Sequence, residues 1–118
     1  MNVFKKKKSI SPEELIKVNI GGMIFETHWA TIISKGENLI SAAIKTDRKG
    51  KEKVATKDKS GNIFFDRSGP LFEFVLQFLR GGVLNLPPTI SWEQILTEFQ
   101  YFKARSLPHE FALIVKLS

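Results

Sequence analysis

Residues 61–86 read GNIFFDRSGPLFEFVLQFLRGGVLNL, and this stretch commits the chain to a fold. It opens with a Gly61-Asn62 turn and passes through an apolar strand, Ile63, Phe64 and Phe65. The chain then turns polar at Asp66, Arg67, Ser68 and Gly69. Pro70 follows where the first turn of a helix tolerates a missing N–H, with Asp66 or Ser68 near the positive end of its dipole. Between Leu71 and Leu79 the only polar residues are Glu73 and Gln77. With Arg80 they stand at i, i+4 and i+7, one narrow wet stripe on an otherwise apolar cylinder. A helix of about eleven residues is only ~16 Å long, and one this apolar has to be enclosed on several sides. Phe65, Phe72, Val75, Phe78 and Leu79 are its expected core, and Gly81-Gly82 ends it.

Upstream, Ile16, Val18 and Ile20 alternate with Lys17 and Asn19, which is strand period. After Gly21-Gly22 the pattern resumes with Met23, Phe25 and Thr27 on one face, so the pair reads as a tight hairpin. The glycine pair is no phosphate loop, because no Gly-Lys-Ser/Thr follows it. Thr27 is expected to cap a short helix over residues 28–33, and Asn38 a second over residues 39–44. Residues 45–60 hold only two apolar side chains, Val54 and Ala55, and read as a long Lys-rich surface loop with an edge strand near Val54. The alternation in residues 16–20 is also expected to leave a polar edge for a partner.

Downstream, Pro87-Pro88 stops any regular element. Ser91 and Gln94 form a capping box for a helix whose Trp92, Ile95, Leu96, Phe99 and Phe102 share one face, with Tyr101 bordering it. A last segment, residues 106–118, reads as a short helix entered at Pro108. Residues 1–14 read as a basic, disordered tail, which leaves residues 15–105 as the folded domain.

A chain of 118 residues supports one domain with a true core. It has no cysteine, hence no disulfide and no thiolate metal site. Its apolar runs are far shorter than the ~20 residues a membrane span needs, and no cleavable secretory signal opens it. A cytoplasmic protein is expected, with Lys5–Lys8 a candidate nuclear address. The net charge of +6 is unevenly placed: Lys5–Lys8 and residues 45–60 carry a net of eight positive charges, so the rest is slightly acidic. A groove reader carries its basic face on an ordered element, so the mapped charge argues for solvated segments over a nucleic-acid or anionic-membrane partner. Neither histidine sits in a nucleophile or acid–base motif, and no catalytic residue, cofactor or small-molecule substrate is expected.

Taken in order, KVNIGGMIFETHWATI, NLISAAI, DKSGNIFFDRSGPLFEFVLQFLRGGVLNLP and ILTEFQYF resemble the BTB/POZ domain of the potassium-channel tetramerisation type, including the KCTD proteins. The resemblance runs roughly from Lys17 to Phe102. It rests on Gly22-x-x-Phe25-x-Thr27, on Gly61-x-x-Phe64-Phe65-Asp66-Arg67, and on Phe72-x-x-Val75-Leu76-x-Phe78-Leu79-Arg80-x-Gly82-x-Leu84-x-Leu86-Pro87. It implies an α+β fold, a small three-stranded sheet flanked by helical hairpins. It also implies a non-enzymatic protein–protein interaction and homo-oligomerisation domain, forming tetramers or pentamers. The implied setting is a KCTD-like scaffold or a cullin ubiquitin-ligase substrate adaptor. A potassium-channel assembly domain and a basic membrane- or nucleic-acid-binding module are the alternatives. Asn19, Thr27, Asp66, Arg67 and Arg80 become candidates for the polar subunit interface. The chain departs from the family in lacking the Cys of an intersubunit zinc site, which His28 and His109 alone cannot make. It also carries the bulky Phe99 where a small residue is common, and a longer Lys-rich loop.

Overall fold

In the computed structural model, residues 9–50, 56–81 and 84–103 are described. Strand β1 (Leu15–Ile20) and strand β2 (Met23–His28) form the hairpin, in antiparallel register from Leu15 opposite His28 to Ile20 opposite Met23. Two helices follow, α1 (Trp29–Ile32) and α2 (Leu39–Lys49), and then strand β3 (Ile63–Phe65). The last elements are the helices α3 (Gly69–Leu79) and α4 (Trp92–Tyr101). Strand order is β2-β1-β3, with β3 parallel to β1, so the chain crosses over between them through α1 and α2. The α+β architecture with its small three-stranded sheet is the one expected from the sequence.

The enclosed helix is α3. Ser68 caps it, accepting a hydrogen bond from the Leu71 N–H, and Pro70 stands in its first turn. Phe72, Val75, Leu76, Phe78 and Leu79 are buried against Ile16, Val18 and Ile20 of β1 and Ile95, Phe99 and Phe102 of the α4 end. Phe72 is the hub, edge-on to Phe25 at 4.9 Å and to Phe102 at 5.1 Å between ring centroids. Phe99 finds its place in the same way, edge-on to Phe78 at 5.1 Å.

Two glycines set how the hairpin turn meets the start of α3. Gly21 has φ +62°, donates its N–H to the Phe65 carbonyl at 2.9 Å, and has no room for a Cβ, which would overlap the Arg67 carbonyl oxygen. Gly69 packs so close to the turn that a Cβ would lie 2.9 Å from the Ile20 carbonyl oxygen and overlap the Met23 side chain.

Four expectations need correction. Thr27 does not cap α1. It stays in the β2 ladder opposite Ile16, and the N-cap is His28, which makes no side-chain bond. Backbone carbonyls do the work instead: Glu14 accepts from the Trp29 N–H and Pro12 from the Ala30 N–H. Consequently residues 11–14 form a hydrogen-bonded turn that supports α1, and only residues 1–8 of the expected tail lie outside the described residues. Helix α2 runs five residues beyond Ile44, to a left-handed cap at Gly50 (φ +66°), so the surface loop is shorter than the Lys-rich composition suggests. Finally, β1 is the central strand, and it offers a partner a face and no edge. The expected edge strand near Val54 lies outside the described residues, although Lys57 bridges Ile63 next to it. The expected C-terminal helix lies outside them as well.

Candidate interaction surface

Arg67 sits in the short connection from β3 to α3, held against the hairpin turn by Gly21. Its guanidinium meets Glu98 of α4 as a fork: Nε donates to Oε1 at 3.1 Å and Nη2 to Oε2 at 2.6 Å. It also lies 4.4 Å from the centre of the Tyr101 ring. The Glu98 carboxylate is buried, and the Arg67 side chain is 28% exposed. Its bond to Glu98 raises the Arg67 pKa above its already high ordinary value, so the cation persists at any working pH. Arg67 therefore ties its loop to α4 within the chain. Asp66 beside it is exposed and adds a favourable charge.

Asn19 is equally engaged. At 9% exposure, its Oδ1 accepts from the Gly22 N–H at 2.7 Å and its Nδ2 donates to Asp58 Oδ2 at 2.8 Å. Asp58 in turn accepts from the Ser60 and Asn62 backbone N–H groups. The Asn19 bond, then the Asn62 backbone bond, hold the Asp58 carboxyl below its ordinary pKa of 3.8. Thr27 is half-buried. Arg80 is exposed at the end of α3, with Nη2 3.5 Å from the Glu26 carbonyl oxygen, at the limit of a hydrogen bond.

The five residues singled out from the sequence thus form no single cluster. Arg67 reaches α4 with Asp66 beside it in the chain, Asn19 braces the hairpin through Asp58 against the loop before β3, and Thr27 and Arg80 lie in and beside β2. Sequence reasoning missed Glu98, Asp58 and Tyr101 as partners. Glu98 left a signal, being a carboxylate inside the buried stripe of Ile95, Phe99 and Phe102, where a charge requires a counter-ion.

Pairing in the sheet places Leu15 opposite His28, Lys17 opposite Glu26 and Asn19 opposite Ile24, all on the side away from α3. Leu15 is 58% exposed and Ile24 50%, and Lys17, Glu26 and His28 are exposed around them. Half of the sheet is therefore uncovered, with two aliphatic side chains framed by both signs of charge. Among the described residues no group of three His, Cys, Asp or Glu is placed to hold a metal. No described helix is long and apolar enough to cross a membrane.

The family model of the BTB/POZ domain matches residues 16–110. Among curated proteins, the human potassium channel regulatory protein is 35% identical over 99 residues, which is 83% of this chain and 35% of that protein. Mouse BTB/POZ domain-containing protein KCTD21 is 37% identical over 73 residues, 61% of this chain and 26% of the relative. The zebrafish BTB/POZ domain-containing adapter for CUL3-mediated RhoA degradation protein 1 is 32% identical over 106 residues, 87% of this chain and 30% of the relative. The chain thus spans about a third or less of the length of these relatives. The chain belongs to the BTB/POZ family, in its potassium-channel-tetramerisation type.

Proposed function

We propose that this chain is a non-enzymatic protein–protein interaction and homo-oligomerisation domain, a KCTD-like scaffold or cullin substrate adaptor that assembles as a tetramer or pentamer in the cytoplasm. The observation that carries the reading is the uncovered half of the sheet. Leu15 and Ile24 stand in water beside Lys17 and Glu26, an arrangement suited to burial against another protein chain. Asp66 and Arg80, both exposed, extend the candidate interface, whereas the fork of Arg67 and the amide of Asn19 are already bonded within the chain. The adaptor role is supported by the zebrafish relative, whose name describes an adapter for CUL3-mediated degradation. A channel-assembly role is the second reading, favoured by the similarity to a potassium channel regulatory protein.

Light scattering at tens of micromolar tests the assembly. A mass of four or five chains is expected, and a strict monomer would sink the proposal. Leu15→Lys with Ile24→Lys should reduce that mass and leave the circular dichroism unchanged, because exposed substitutions shift stability by only about half a kcal/mol each. Retention by a purified cullin, set against retention by the cytoplasmic part of a channel, separates the two roles.

A further inference from the structure

A groove of about 350 Å³ runs between α2 and the segment where β3 meets Thr56, whose carbonyl accepts from the Phe64 N–H at 2.8 Å, and Tyr101 lines it as well. Its α2 wall is Leu39, Ala42, Ala43 and Thr46, a stripe at i, i+3, i+4 and i+7, and Phe64 lines the opposite side. This stripe is only partly covered: Leu39 and Ala43 pack against the rim of the core, Ala42 is exposed, and the two alanines leave the space that larger side chains would fill. Its size is that of sites which bury apolar ligands.

We propose that the groove is the docking site of residues 111–115 of the same chain, Phe-Ala-Leu-Ile-Val. Three observations select this occupant. The run is the longest uninterrupted apolar stretch in the sequence, so water is a poor solvent for it. Residues 104–118 lie outside the described structure, and the chain leaves that structure at the mouth of the groove. Tyr101 lines it, the Phe102 carbonyl accepts from the Leu39 N–H at 2.7 Å, and Lys103, with φ +55°, turns the chain out of the axis of α4. The tether also suffices: seven residues separate Lys103 from Phe111 and reach at most about 25 Å, while the α2 stripe is only about 10 Å long. Residues 51–55 offer two apolar side chains among three charged ones and match the groove less well.

The full chain carries its own probes, since it has one tyrosine and no cysteine. Labelled with 3-fluorotyrosine, it gives one ¹⁹F resonance, from Tyr101. Leu113→Asp and Ala43→Arg should each move that resonance with unchanged circular dichroism, and its position should not depend on protein concentration. An unmoved resonance in Leu113→Asp overturns the proposal, as does a concentration-dependent one, which would place a second copy in the groove. Ala43→Cys, paired in turn with Phe111→Cys, Leu113→Cys or Val115→Cys, supplies the second measurement. At least one pair should oxidise to a bond within one chain. Bonds only between chains, or none in all three pairs, overturn it.

Discussion

Glu98 depends on Arg67 because a carboxylate 4% exposed has lost its water, and the fork at 2.6 and 3.1 Å replaces it. From the sequence Arg67 is a candidate interface residue, and as a plain surface charge of a single chain it would be worth about half a kcal/mol. With its partner buried, Arg67→Ala should instead cost about 2–4 kcal/mol in a denaturant melt, since the remaining charge has no counter-ion. Arg67→Lys should recover only part of the loss, because an ammonium keeps the charge but neither the fork nor the stack on Tyr101. Full recovery by lysine would show that charge alone matters. That Arg67 mattered was legible in the sequence; its partner was not, because Glu98 lies 31 residues away and only tertiary packing joins them. Asp58 yields a prediction in pH. Its folded pKa is depressed, so its stabilising contribution is complete above its ordinary pKa of 3.8 and is lost as pH falls through the lower folded value. Melting temperatures taken downward from pH 5 should therefore fall less steeply in Asp58→Asn than in the wild type. Equal slopes would remove Asp58 from the acid sensitivity.

Among the elements, α3 was readable end to end because cap, Pro70, apolar run and terminator agree in one local stretch. Phe72→Ala should cost about 3–5 kcal/mol by emptying the place where three rings meet, a large share of the ~5–15 kcal/mol available to a domain. A wild-type-like denaturation curve would contradict the central position of α3. Helix α2 was half legible. Asn38 announced its start, and the structure completes a capping box with Ser41. Its second half has no apolar pattern because it faces solvent. There Lys45 pairs with Glu37, Arg48 with Glu14 and Lys57 with Asp47, and Arg48 and Lys49 complement the helix C-terminus. Binary patterning reports burial, so an exposed helical half is read as loop. Helix α1 misled for a different reason: its first N–H groups bond to carbonyls 15 and 18 residues upstream, which no local cap rule registers.

At the scale of the molecule, family and sheet were legible because three motifs fall in order along the chain. The candidate surface was only partly so, since which charges are spent internally follows from the packing. The ion pairs of α2 also bear on the basic stretch, where Lys45, Arg48 and Lys57 each already face a carboxylate. Such pairs leave less bare charge for an anionic partner than composition suggests. Strand β1 holds two neighbours on very different terms. Its partner β2 arrives through a two-residue turn, while β3 arrives only after the long stretch 29–62 that follows β2. The entropy of closing such a connection grows only with the logarithm of its length, and doubling it costs about 0.6 kcal/mol. Insertion within residues 51–55, between the left-handed end of α2 and Thr56, should therefore cost folding little. That interval is where an engineer can splice a reporter without disturbing the sheet.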